Sequence, residues 1–152
     1  MERIASFSVD HRKIKPWVYI SRVDGDVTTY DMRMRKPNTG DLVDNATLHS
    51  LEHLFATMVR NSRISKDVIY FGPMGCQTGF YLLIRNADHG TVVQVIKEVL
   101  AGIAEYDGDM PGASEIECGN YRNLDVELAR AEAKSYLEKI KDLTKDDLNY
   151  EE

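Results

Sequence analysis

Two histidines with an acidic residue between them are the first side chains in this sequence that could do chemistry. His49 and His53 lie four residues apart in the segment HSLEH, and Glu52 precedes the second. Residues spaced by four are neighbours on a helix surface, so both imidazoles can approach one ion at the ~2.0–2.1 Å typical of zinc–nitrogen bonds. Glu52, three residues after His49, points the same way. The pattern predicts a metal site with an acid beside it.

The same spacing also occurs on ordinary amphipathic helices whose polar residues flank the core. The inserted acid makes the pattern H-x-x-E-H, an inverted zinc-protease motif, and this favours a metal. Two histidines alone hold a divalent ion weakly, so a third ligand is expected. Four downstream residues carry a suitable group: Cys76, Cys118, Glu127 and Glu132. A thiolate would be a strong ligand for zinc or ferrous iron.

The two cysteines are expected to be free thiols, because the N-terminal segment MERIASFSVD lacks the apolar core of an export signal. Cys76 lies in GPMGCQTG (72–79), where glycines let a substrate approach the backbone closely. Whichever cysteine does not bind the metal could act as a nucleophile or as a general acid or base. Cys76 could equally be a small buried residue in a tight turn.

Composition limits the class of protein. The chain has 152 residues, of which 43% are hydrophobic, and this predicts a single domain over residues 1–152. A net charge of −6 argues against a nucleic-acid partner. No apolar stretch approaches the ~20 residues that a membrane span needs, so no membrane partner is expected. A cytoplasmic location is expected.

Strands must position the cysteine loop. Two runs rich in β-branched and aromatic residues, 17–23 and 27–34, flank Asp24-Gly25-Asp26 and predict a hairpin. Segments 67–72 and 79–86 predict two further strands, one on each side of the loop that contains Cys76.

Helices separate and follow the strands. HSLEH lies on a helix that Asp44 or Asn45 could cap, and helical spacing of apolar residues predicts two more over 90–106 and 124–143. The polar, acidic tail TKDDLNYEE is expected to fray. Strands in hairpin-like groups, with long helices between them, predict an α+β fold: a mostly antiparallel β-sheet with helices packed on one face.

Five motifs in order resemble those of the S-ribosylhomocysteine lyase family, LuxS. They are SFSVDH (6–11), YDMRMRKPN (30–38), HSLEH (49–53), GPMGCQTG (72–79) and ECGN (117–120). Each motif alone has modest specificity, but their order and spacing together are highly specific and span most of the chain.

The resemblance implies a role for each matching residue. The metal ligands would be His49, His53 and Cys118, holding ferrous iron that zinc or cobalt can replace. Cys76 would be the catalytic acid and base, with Glu52 as its partner. The substrate pocket would contain Ser6, His11 and Arg33, although a strand arginine could otherwise be a surface charge. Familiar members carry an acid six positions before the catalytic cysteine, where this chain has Tyr70, so one contact with the substrate's homocysteine end is expected to differ.

The resemblance also implies a reaction and an assembly. The substrate would be S-ribosylhomocysteine, whose carbonyl moves from C1 to C2 to C3 before β-elimination releases homocysteine. The other product would be 4,5-dihydroxy-2,3-pentanedione, the precursor of autoinducer-2. The protein would be a homodimer with its two active sites at the subunit interface.

Two other functions are compatible with the residues alone. An inverted-motif metallopeptidase would use Glu52 to activate water and Glu127 or Glu132 as the third ligand. A non-catalytic metal-binding protein would need four protein ligands. Replacement of Cys118 by alanine should abolish metal binding in the lyase and spare it in the peptidase.

Overall fold

Four strands form one antiparallel sheet in this computed structural model, which describes residues 1–152. The strands are β1 (Trp17–Asp24), β2 (Val27–Arg33), β3 (Val68–Pro73) and β4 (Gly79–Arg85), in the spatial order β1-β2-β4-β3. Two hairpins, β1–β2 and β3–β4, are joined by pairing of β2 with β4. The φ of +61° at Gly25 makes the first hairpin's turn, in a conformation that favours glycine. The predicted antiparallel sheet is confirmed.

Three helices cover one face of this sheet. They are α1 (Asn45–Val59), α2 (His89–Ala104) and α3 (Val126–Lys139). On β4, Phe80, Leu82 and Ile84 alternate toward the helices and are at most 1% exposed, as the two-residue period of a strand requires. They join the apolar residues of all three helices in one core cluster. The predicted α+β fold is therefore correct. None of the helices combines the length and apolarity needed to cross a membrane.

The opposite face of the sheet carries a buried ion pair. Asp31 and Arg33 on β2 are 0% and 3% exposed, and the C-terminal segment contributes to their burial. The backbone N–H of Ile20 on β1 donates to the carbonyl of Leu148 over 2.7 Å, and the Tyr150 hydroxyl donates to Asp31 Oδ2 over 2.7 Å.

The expectation that the whole tail frays is wrong for its residues up to Tyr150. A capping box between Thr144 and Asp147 closes a short 3₁₀ turn, and Leu148 is buried in the core at 1% exposure. Reciprocal caps satisfy backbone N–H groups that would otherwise need water, and one buried leucine anchors the polar segment. The polar composition of the tail concealed both features.

Candidate active site

The helix α1 presents both histidines to Cys118. The Cys118 Sγ lies 3.3 Å from His49 Nε2 and 3.7 Å from His53 Nε2, and all three ligand atoms are within 4.8 Å of one another. Zinc bond lengths of ~2.3 Å to sulfur and ~2.0–2.1 Å to nitrogen place tetrahedral ligands about 3.6 Å apart. The donor set and its spacing thus fit one ion. We name these three residues the metal half-site.

Hydrogen bonds fix the tautomer of each histidine. His49 Nδ1 lies 2.6 Å from Asn123 Oδ1, and His53 Nδ1 lies 2.8 Å from the carbonyl oxygen of Pro111. These oxygens only accept hydrogen bonds, so Nδ1 carries the proton, and in the neutral ring Nε2 has the lone pair. Asn123 is oriented in turn, because its Nδ2 donates to Asn45 Oδ1 over 2.8 Å. Both lone pairs are therefore available to a metal.

The loop that contains Pro111 passes close to the second histidine. Gly112 has a φ of +71°, and a Cβ there would lie 3.0 Å from His53 Nδ1. Both facts favour glycine, since other residues rarely adopt this φ. Asn123, Pro111 and Gly112 were not predicted from the sequence, because no local spacing links them to the helix.

Cys76 lies in the turn between β3 and β4 and is exposed. Its Sγ is 3.0 Å from Thr78 Oγ1, and Arg33 Nη1 donates to the same oxygen over 3.0 Å. Because Arg33 occupies a lone pair of that oxygen, the Thr78 hydroxyl hydrogen is free to donate to a thiolate at Cys76. We name Cys76, Thr78 and Arg33 the thiol half-site. The reading of Cys76 as a buried turn residue is wrong.

Strand pairing brings Arg33 to the cysteine turn. Arg33 lies opposite Gly79 in the β2–β4 pair, and a Cβ at Gly79 would collide with the carbonyl oxygen of Met32. Glycine therefore permits this close approach of the two strands. The Thr78 carbonyl oxygen also accepts hydrogen bonds from the backbone N–H groups of Met34 and Arg35, over 2.8 and 3.0 Å, so Thr78 is held from two sides.

The Arg33 side chain is a buried cation and not a surface charge. Its Nε and Nη2 donate to the two carboxylate oxygens of Asp31 over 3.0 and 2.8 Å. Burial alone lowers the pKa of Arg33, but the hydrogen bonds and charge of Asp31 outweigh this effect, and the pKa ends above its ordinary value. Arg33 therefore supplies a fixed positive charge to the thiol half-site.

Two cavities lie on either side of the segment Pro73–Gly75, which lines both. The larger, of about 760 Å³, is lined by four of the predicted site residues: Ser6, His11, Arg33 and Cys76. The second, of about 560 Å³, is lined by His49 and Glu52. Both volumes are within the ~300–1,000 Å³ range of small-molecule sites. The structure thus gathers the predicted residues into two groups with a shared wall.

Glu52 and His11 each keep a polar atom available. None of the ion pairs of the chain involves Glu52, so no cation neutralises its half-buried carboxylate. His11 Nδ1 donates to the carbonyl oxygen of Val9 over 2.9 Å, which leaves Nε2 as an acceptor.

Comparison with known proteins settles the family. The family model described as S-ribosylhomocysteinase (LuxS) matches residues 4–147. The chain belongs to the LuxS family. It is 45% identical over 148 residues to the S-ribosylhomocysteine lyase of Desulfotalea psychrophila, with 93% of each chain covered. It is 41% identical over 157 residues to the S-ribosylhomocysteine lyase of Finegoldia magna, with 100% of each chain covered.

Membership of the LuxS family agrees with the positions of the other candidate ligands. Glu132 is buried and accepts hydrogen bonds from Arg35, which uses both terminal nitrogens of its guanidinium. Glu127 forms an ion pair with Arg130 on the surface of α3. Neither belongs to the cluster that could hold a metal, so the metallopeptidase alternative has no third ligand.

Tyr70, where the sequence predicts a departure from the family pattern, lies near the metal half-site. Tyr70 is 52% exposed, and it lines a third cavity, of about 300 Å³, together with Glu52, His53 and Arg60. A Cβ at Gly72 would collide with the phenol ring, so this glycine makes room for the tyrosine. A tyrosine side chain thus occupies the position where the resemblance implies an acid.

Proposed function

We propose that the protein is an S-ribosylhomocysteine lyase, which cleaves the thioether of its substrate to homocysteine and 4,5-dihydroxy-2,3-pentanedione. The second product is the precursor of autoinducer-2. The observation that carries the proposal is a family match over residues 4–147 in a chain with two chemically distinct cysteines. Cys118 clusters with His49 and His53, whereas Cys76 lies beside Thr78 and the Arg33 charge.

The substrate chemistry explains why two kinds of group are needed. A thiolate leaves readily from C5 only when a carbonyl at C3 acidifies the proton on C4. The open sugar begins with its carbonyl at C1, so two isomerisations must precede the elimination. Each isomerisation removes a proton from one carbon and returns a proton to its neighbour. The reaction therefore requires general acid–base groups that act repeatedly on one bound sugar.

The metal half-site fits the ion that the family implies. His49, His53 and Cys118 would hold ferrous iron, and zinc or cobalt could replace it, since imidazole and thiolate ligands suit all three. When bound, the ion would supply Lewis-acid stabilisation of negative charge on the substrate's oxygens. Asn123 and the Pro111 carbonyl would keep both imidazoles neutral and aimed at it.

The other residues move protons and bind the substrate. Cys76, as a thiolate, would take and return protons at the sugar carbons, with the Thr78 hydroxyl donating to its Sγ between transfers. Glu52 would serve oxygen-bound protons and the later carbons from the metal side. The pocket walls would come from Ser6, His11 and Arg33, which line the same cavity as Cys76.

We further propose that two copies of the chain complete each active site. Within one chain the two half-sites open into separate cavities, and Phe7 and Leu42 at the larger cavity are 70% and 47% exposed. A second subunit would bury these apolar side chains and exclude water from the sugar. Sedimentation should show a homodimer; a monomer at micromolar concentration would contradict this arrangement.

Because both cysteines are free thiols, we place the reaction in the cytoplasm.

The direct test is to incubate the protein, loaded with Fe²⁺ or Co²⁺, with S-ribosylhomocysteine and to measure the free thiol released. S-Adenosylhomocysteine is the matched control, because its C1 is bonded to adenine and the sugar cannot open to an aldehyde. We expect one thiol per S-ribosylhomocysteine and none from the control. No release from either compound by the metal-loaded protein would refute the proposed function.

A further inference from the structure

We propose that Tyr150, near the C-terminus, is a positioning residue for Cys76 and acts through Asp31, Arg33 and Thr78. The proposal rests on the proposed function, in which Cys76 is the acid and base. A continuous chain of hydrogen bonds joins the two ends. The Tyr150 hydroxyl donates to Asp31 Oδ2 over 2.7 Å, Asp31 accepts two bonds from Arg33, and Arg33 donates to Thr78, which contacts Cys76 Sγ.

Packing holds the tyrosine in place at the end of the chain. Its ring stacks on Tyr19 with centroids 4.6 Å apart and planes inclined by 17°, and Tyr19 is 2% exposed. Two residues before it, Leu148 is in the core and its carbonyl pairs with β1. The Trp17 Nε1–H donates to the carbonyl of Asp147 over 2.9 Å. The tail is therefore a docked element, and its Tyr150 hydroxyl reaches the ion pair.

Charge sharing explains how the hydroxyl acts at a distance. The Asp31 carboxylate is fully buried and has only acceptor sites. The Tyr150 hydroxyl withdraws part of its negative charge, so Asp31 neutralises the Arg33 guanidinium less completely. Three of the five guanidinium N–H groups are used by Asp31 and Thr78, and the remaining two are free at a residue that lines the Cys76 cavity.

The tyrosine stays a donor over the whole working range of an enzyme. Burial and then the charge of Asp31 raise the pKa of Tyr150 well above its ordinary value. A neutral phenol is thus retained when the solution becomes alkaline. The other ionisable groups that line the Cys76 cavity are His11, Arg33 and Tyr81, and all three are unchanged in the variants below.

Tyr150→Phe removes the hydroxyl and keeps the stacked ring. We expect the pH midpoint for alkylation of Cys76 by iodoacetamide to rise by about half a unit, equivalent to about threefold less thiolate at a fixed pH below the midpoint. The turnover number should fall by a similar factor. Alkylation is measured separately for the peptide that contains Cys76 and the peptide that contains Cys118.

Asp31→Asn should move the Cys76 midpoint in the opposite direction, because a neutral amide leaves the Arg33 charge uncompensated.

The matched control is Tyr136→Phe. This substitution also removes a buried hydroxyl. The Tyr136 hydroxyl donates to the carbonyl of Trp17 over 2.8 Å and is not bonded to Asp31. We expect lower thermal stability with an unchanged Cys76 midpoint. An unchanged midpoint in folded Tyr150→Phe, or an equal shift in Tyr136→Phe, would overturn the positioning role. Wild-type protein that alkylates as expected but releases no thiol from S-ribosylhomocysteine would refute the proposed function alone.

Discussion

The side chains of the two half-sites are held in position by different interactions. In the metal half-site, two half-buried histidines on one helix are aimed by single hydrogen bonds to carbonyl oxygens, and the cysteine comes from a loop. In the thiol half-site, an exposed cysteine is backed by an ion pair that is at most 3% exposed and is held in the sheet. The first depends on the protonation state of two imidazoles, and the second depends on charge that is fixed deep in the fold. Substitutions should therefore affect metal binding and folding stability separately.

The largest effect is expected at Glu52, which adjoins the metal half-site without belonging to its ligands. Glu52→Gln keeps the size of the side chain and removes its ability to take a proton. Turnover should fall by about 10²–10⁴-fold, the range typical of a lost general acid or base. Metal content, measured by atomic absorption, should stay the same. Loss of the metal in this variant would mean that Glu52 is a ligand.

The next largest effect is expected on folding stability, at the buried ion pair of the thiol half-site. Asp31→Ala leaves the Arg33 cation buried without its partner, and this should lower the free energy of unfolding by about 3–5 kcal/mol. Urea denaturation of the metal-free protein measures it. Glu98→Ala is the control, because it breaks an exposed ion pair with Arg63 and such pairs contribute only about 0–1 kcal/mol. Equal losses in both variants would contradict the assignment of a stabilising buried pair.

A smaller effect is expected from the residue that orients His49. Asn123→Ala removes the acceptor for Nδ1–H, so the ring can rotate or change tautomer. Metal affinity should fall by about 10–100-fold, with little change in Cys76 alkylation. Competition with a chelator measures the affinity. Asn61→Ala is the control, since the Asn61 side chain donates only to the carbonyl of Thr57; the same loss there would show that the effect is not specific to His49.

The smallest effect concerns the segment that carries His11 into the larger cavity. Hydrogen bonds from the Arg12 side chain and backbone N–H lower the pKa of Asp10 from 3.8 to about 2. The lowered value means that the stabilisation is present above pH 3.8 and is lost as the pH falls through about 2. In Arg12→Ala, NMR titration should find the Asp10 midpoint higher, while the remaining backbone bond keeps it below 3.8. An unchanged midpoint would remove Arg12 as the cause.

Local pattern predicted one half-site far better than the other. The spacing of His49 and His53 on α1 needed only the helical repeat. The third ligand did not follow from spacing, because four residues were chemically suitable, and the resemblance to a known family selected Cys118. The residues that aim the imidazoles, Asn123 and Pro111, come from loops whose paths are set by tertiary packing.

The thiol half-site was less predictable because it depends on strand register and on a distant segment. The alternation of Asp31 and Arg33 on β2 is typical of a solvent-facing polar strand face. The C-terminal segment contributes to the burial of that face, since the hydroxyl of Tyr150, 119 residues from Asp31, donates to the Asp31 carboxylate. A polar tail gives no signal that it will cover a sheet, so the buried ion pair could be found only from the structure.

The two cysteines are proposed to have separate tasks, and a pair of single substitutions can distinguish these tasks. Metal content and thiol release from S-ribosylhomocysteine are measured for Cys76→Ala and Cys118→Ala after the same metal loading. Cys76→Ala should keep one metal per chain and release no thiol, whereas Cys118→Ala should lose the metal. Loss of the metal from Cys76→Ala, or its retention in Cys118→Ala, would show that the two cysteines do not have these separate tasks.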